Sequence, residues 1–115
     1  MIELIKYSAI SFHLKINIQG IVEMLEYIKQ LESKKEKHLQ ILYLEKIRSF
    51  EIKTDNNMSK MLIEEGFVKM YMESEEIEYL ELRLKEALIS KCFYPSEICE
   101  LKYKNRYITV YCDVS

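Results

Sequence analysis

Ile10-Ser-Phe-His-Leu-Lys-Ile-Asn-Ile-Gln-Gly-Ile-Val-Glu-Met-Leu-Glu-Tyr-Ile-Lys-Gln-Leu31 is the stretch around which the chain is organised. Ile10, Phe12, Leu14, Ile16 and Ile18 alternate with polar residues, the period of a half-buried strand. After Gly20 the period changes: Ile21, Met24, Leu25, Ile28 and Leu31 fall on one side of a helix. A strand that feeds directly into an amphipathic helix lays that helix back over its sheet, so both apolar stripes share one core. The helix is expected from near Gly20 to about Lys37. Lys34, Lys35 and Lys37 sit in its last turns, where cations complement the negative end of the helix dipole.

Upstream, Ile2, Leu4, Ile5, Tyr7 and Ala9 form an apolar run whose phase slips between Leu4 and Ile5, the mark of a bulge or a short separate strand. Downstream, Leu39 to Glu45 reads as a central strand that Ile47 to Lys53 continues, with Glu45-Lys46 either a turn or exposed strand. Thr54-Asp55-Asn56-Asn57 is a loop. Met61 to Met72 is extended, with Gly66 marking a bulge or tight turn and Val68, Met70 and Met72 sharing a face.

Ser74 is the expected N-cap of a second helix, with Glu75, Glu76 and Glu78 in its positive first turns. Ile77, Leu80, Leu84, Ala87 and Leu88 form its stripe, and Leu82 and Ile89 point off it toward a second contact. Leu80, Leu82 and Leu84 also alternate as in a strand, but Glu, Leu, Arg, Lys and Ala favour the helix. Pro95 ends this element. Cys99 to Tyr103 and Arg106 to Val114 then form two strands around a Lys104-Asn105 turn. Ile108, Val110, Cys112 and Val114 share one side of the last strand, and Tyr107, Thr109 and Tyr111 the other. The order is βαββαβ with extra short strands. It predicts an α+β, two-layer sandwich of the ferredoxin-like type: a mainly antiparallel sheet with both helices on one face. No internal repeat is evident in the residues.

The chain has 115 residues, the length of one domain spanning 1–115, and 49% of them are apolar. Charged residues make up 31%, but the signs nearly cancel to a net −2, a poor balance for general nucleic-acid binding. No secretory signal or membrane-length apolar run is present, so a cytoplasmic protein with no membrane role is expected. The odd set Cys92, Cys99 and Cys112 fits reduced thiols. Scarce Ala, Gly and Pro beside abundant Ile, Lys, Glu and Tyr point to an AT-rich bacterial, phage or mobile-element gene.

Chemistry-bearing motifs are few. His13 on the polar side of the first strand and His38 after the first helix have no neighbouring nucleophile. The cysteines lack a Cys-x-x-Cys pair, and Gly20 and Gly66 stand alone, so no metal, cofactor or catalytic residue is expected. Two charged features remain. Glu73, Glu75, Glu76, Glu78 and Glu81 form either a solvated helix start or an acidic patch for a basic partner. Lys102, Tyr103, Lys104, Arg106, Tyr107 and Tyr111 interleave cations and rings in the closing hairpin, a pattern that can hold phosphates and stack bases. The reading that follows is a small non-catalytic module that occludes a partner protein such as a toxin, nuclease or other defence enzyme, of the toxin-immunity or anti-defence type. The alternative is a nucleic-acid or nucleotide-binding domain using the 102–111 hairpin. An unpaired edge strand leaves room for a homodimer.

Overall fold

Four hairpins carry the strands. β1 (Ile2–Ser8) turns through Ala9-Ile10 into β2 (Ser11–Ile16), and β3 (Leu39–Tyr43) turns through Leu44-Glu45 into β4 (Lys46–Thr54). β5 (Lys60–Ile63) meets β6 (Phe67–Met72), and β7 (Ser96–Tyr103) meets β8 (Arg106–Val114). Helix α1 (Ile18–Lys29) lies between β2 and β3, and α2 (Ser74–Ser90) between β6 and β7. This computed structural model describes residues 1–31, 38–90 and 96–114. Lys34, Lys35, Lys37, Cys92 and Pro95 lie outside them.

The strands close into a barrel in the order β1-β2-β8-β7-β5-β6-β4-β3. Each hairpin is antiparallel within itself and parallel to its neighbours: β2 to β8, β7 to β5, β6 to β4, and β3 to β1. All four turns therefore sit at one end, and both helices connect strands at the other. This corrects the ferredoxin-like expectation, which assumed an open sheet with helices on one face. The reason is pairing: of the alternatives open in the sequence, Ile2 to Ser8 is a separate strand rather than a bulge and Gly66 marks a turn rather than a bulge, so both segments are hairpins, and the edges meet.

The chain also repeats itself in topology. β1-β2-α1-β3-β4 and β5-β6-α2-β7-β8 have the same order, pairing and direction. Buried positions recur at a spacing of 56: Phe12 with Val68, Leu14 with Met70, Ile16 with Met72, Ile21 with Ile77, Met24 with Leu80, Ile28 with Leu84. Tyr43 recurs as Tyr103, and the two turns that follow have the same geometry, with positive φ at Leu44 and Glu45 (50° and 64°) and at Lys104 and Asn105 (47° and 65°). Both positions positive is the type I′ pattern that suits the twist of a two-residue hairpin. The repeat escapes the sequence because apolar character, not identity, is what is kept.

Inward positions fill the barrel with Ile, Leu, Met, Phe and Val, and no polar or charged side chain among the described residues is buried with them. Helix α1 starts at Ile18, not Gly20: the Asn17 side chain accepts the Gly20 N–H at 2.8 Å and caps it. Ile10 and Ile18 are consequently exposed, in a turn and on the helix surface. Gly20 has no room for a side chain, since a Cβ there would meet the Met1 carbonyl oxygen at 2.6 Å. Tyr27 of α1 packs against β4 beyond the Leu39–Phe50 pair. Its hydroxyl accepts the Ile52 N–H at 3.0 Å, so that buried backbone donor is satisfied by a side chain. Burial raises the Tyr27 phenol above its ordinary value, the Ile52 bond opposes this and Glu51 adds to it.

Candidate functional site

The acidic run divides when it folds. Glu73, not Ser74, is the N-cap of α2, because its carbonyl accepts the first helical N–H, from Ile77. Glu76 reaches back to the Glu73 N–H at 2.9 Å, the returning half of a capping box, and also accepts the Ser59 hydroxyl. Glu81 holds Lys85 at 3.1 Å. Glu76 and Glu81 are thus engaged in the fold. The carboxylates of Glu73, Glu75 and Glu78 stay exposed and face no cation within ion-pair distance among the described residues.

Beside them runs an apolar line. Tyr79, Leu82 and Ile89 are 43%, 53% and 85% exposed and follow one another along the solvent side of α2. Glu75 begins the same line at helical spacing and Glu86 stands within it, the latter held by Arg83 at 2.7 Å. The second contact expected of Leu82 and Ile89 is not supplied by any described element. Next to this face, a cleft of about 370 Å³ opens between the end of α1 and the start of α2. Its apolar wall is Ile28, Leu31 and Ile77, and Glu78, Glu81 and Lys29 stand at its rim.

The closing hairpin also divides. Tyr103 turns inward at the turn end of the barrel, edge-on to Phe12 with ring centres 5.4 Å apart. Its repeat partner Tyr43 lies 6.5 Å from the same Phe12. Each tyrosine is covered by a cation, Arg48 over Tyr43 at 4.9 Å and Lys104 over Tyr103 at 5.4 Å. Burial raises the Tyr43 phenol, the nearby Tyr103 adds to this, and Arg48 opposes it. Arg106 is exposed at the turn. Tyr111 points outward against His13, 5.1 Å between centres. Only Lys102 and Tyr107 of the six share an outward row, paired across β7 and β8.

His13 lies between Tyr111 and Tyr7, whose ring centre is 4.6 Å away, and its Nδ1 stands 2.6 Å from the Asp113 carboxylate. The pair has the geometry of an oriented imidazole, yet no hydroxyl or thiol nucleophile bonds its other nitrogen among the described residues. His38 is exposed. Cys99 and Cys112 are buried free thiols. Burial pushes both up, Cys112 to about 12, away from the thiolate form that reacts. Among the described residues, no group of three His, Cys, Asp or Glu could hold a metal ion.

One constellation has no counterpart in the linear pattern. Tyr107, Lys102, Lys60, Tyr71 and Lys53 occupy consecutive register positions across β8, β7, β5, β6 and β4. Each is an outward position of its strand, and the hairpin's cation-and-ring alternation is the only local hint. No described helix is long and apolar enough to cross a membrane. Compared with known protein families, with curated proteins and with solved structures, the chain shows no match.

Proposed function

We propose that the protein is a non-catalytic binding module that occludes a partner protein with the solvent side of α2. The observation that carries this reading is the exposed line Tyr79, Leu82 and Ile89 beside the unneutralised Glu75 and Glu78. An apolar centre fringed by charge is the make-up of an interface core and rim. The sign of the fringe selects a partner with a basic surface, such as the substrate cleft of an enzyme that acts on nucleic acid. The cleft beside Glu78 and Glu81 has the size and lining to take a Lys or Arg side chain from that partner. A toxin-immunity protein or an anti-defence inhibitor of a mobile element, working in a cytoplasm that keeps Cys99 and Cys112 as thiols, is the class that fits.

Co-expression with the products of adjacent genes, followed by purification, tests this. The wild type is expected to retain one of them at micromolar concentration. Leu82→Arg with Ile89→Arg should weaken that complex at least about ten-fold, as loss of central anchors does. Both residues are solvent-exposed, so circular dichroism should be unchanged. A partner held equally well by the double variant would remove α2 from the interface.

A further inference from the structure

The outward row has a feature that folding alone does not ask for. Lys60 and Lys102 stand directly opposite each other, and among the described residues theirs is the only pair in register between β5 and β7. Like charges facing across a strand pair repel, and here they do so where the barrel has least pairing to hold it. Neither lysine has a carboxylate within ion-pair distance among the described residues. Lys60 is instead held over the Tyr71 ring, its Nζ 4.8 Å from the centre. Tyr107 flanks Lys102 on the other side and is 74% exposed, with a free ring face. Lys53 ends the row and shares Glu51 with Lys69, at 4.0 Å and 3.7 Å. Glu100, two positions from Lys102 on β7, is the other acid alongside.

Four strand spacings carry this row about 19 Å around the barrel. The strands tilt, so it descends from the turn end at Tyr107 to the helix end at Lys53. We propose that it is a binding site for single-stranded nucleic acid. The phosphodiester backbone lies across Lys102 and Lys60, and a splayed base stacks on Tyr107. An anion between the two lysines turns their repulsion into shared attraction, which accounts for a like-charged pair at a weak seam. The site is apart from the α2 face, and it differs from the expected 102–111 hairpin patch. Tyr103 and Tyr111 leave that patch, and Lys60, Tyr71 and Lys53 enter from strands far away in sequence. A bare polyanion patch would need the lysines but not Tyr107, so the ring separates the two chemistries.

Fluorescence anisotropy with labelled oligothymidylate and oligouridylate of about 15 nucleotides tests it. Binding is expected at about 50 mM salt and should weaken roughly ten-fold by about 200 mM, the dependence expected when two or three phosphates are neutralised. Lys60→Glu with Lys102→Glu should abolish it, and the glutamine pair Lys60→Gln with Lys102→Gln should flatten the salt dependence with the fold intact by circular dichroism. Tyr107→Leu should lower affinity about ten-fold for the oligonucleotides and leave heparin binding unchanged. Leu82→Arg should change none of this. Absence of binding at the lower salt, wild-type binding by either lysine pair variant, or an unchanged affinity in Tyr107→Leu would overturn the proposal.

Discussion

The barrel has two kinds of parallel seam. β2 runs beside β8 from Ser11–Thr109 to Ile16–Val114, and β4 beside β6 from Ser49–Phe67 to Thr54–Met72. Among the described residues, β1 meets β3 only at Glu3–Leu42 and Leu4–Tyr43, and β5 meets β7 only at Lys60–Lys102. The long seams join the two halves of the chain, and the short seams lie within each half. The barrel is therefore two four-stranded sheets, β1-β2-β8-β7 and β5-β6-β4-β3, each made of one hairpin from each half. The halves are interlocked rather than set side by side.

Separating the halves should have the largest effect. Fragments 1–57 and 58–115 each lose both long seams, so neither retains a complete sheet. Two-stranded hairpins are marginal in water. Each fragment alone is expected to lack a cooperative thermal transition, and their mixture to regain one in near-ultraviolet circular dichroism. A cooperative melt from 1–57 by itself would mean that the short β1/β3 seam and α1 hold a half together, and that the long seams are not what the fold depends on.

A second test compares the equivalent turns of the two halves. Leu44-Glu45 and Lys104-Asn105 have the same left-handed backbone. Asn tolerates that conformation, whereas Leu and Glu do so at a cost of about 1–2 kcal/mol each. Leu44→Asn with Glu45→Gly should therefore raise stability by about 1–2 kcal/mol in a denaturant titration. Lys104→Asn with Asn105→Gly should raise it by less. Equal gains would show that the two turns are not strained as their residues indicate.

These turns also show what could be read in advance. Lys104-Asn105 was legible because Asn is a turn former, and the faces of β8 followed from its alternation. Leu44-Glu45 carries no turn signal, so the sequence leaves Glu45-Lys46 open between a turn and exposed strand, and the turn lies one residue earlier. The stripe of α2 was legible too, with Leu82 and Ile89 correctly set off it, although the cap belongs to Glu73. Ile10 and Ile18 extended the β2 alternation past its true ends, because periodicity counts an apolar turn residue or helix start as strand. Closure was not legible at all. Alternation says which side of a strand is buried but not which strand lies beside it. The same limit hid the outward row, because Lys60 and Lys102 become neighbours only through the β5/β7 pairing.

That pairing also supplies the test with the smallest effect on stability. Lys60→Glu places opposite charges across the β5/β7 seam in place of like ones. Cross-strand charge pairs are worth roughly 0.2–1 kcal/mol, and solvent screening keeps a half-exposed pair near the lower figure. The variant should unfold at slightly higher denaturant than the wild type, and added salt should erase the difference, since screening weakens the repulsion in one and the attraction in the other. The same substitution should weaken the oligonucleotide binding proposed above. A residue that lowers the stability of its own fold and raises affinity for a ligand is held there by the ligand's needs. If Lys60→Glu instead destabilises the barrel, the lysine pair serves the seam through the Tyr71 ring, and the repulsion at β5/β7 has no functional meaning.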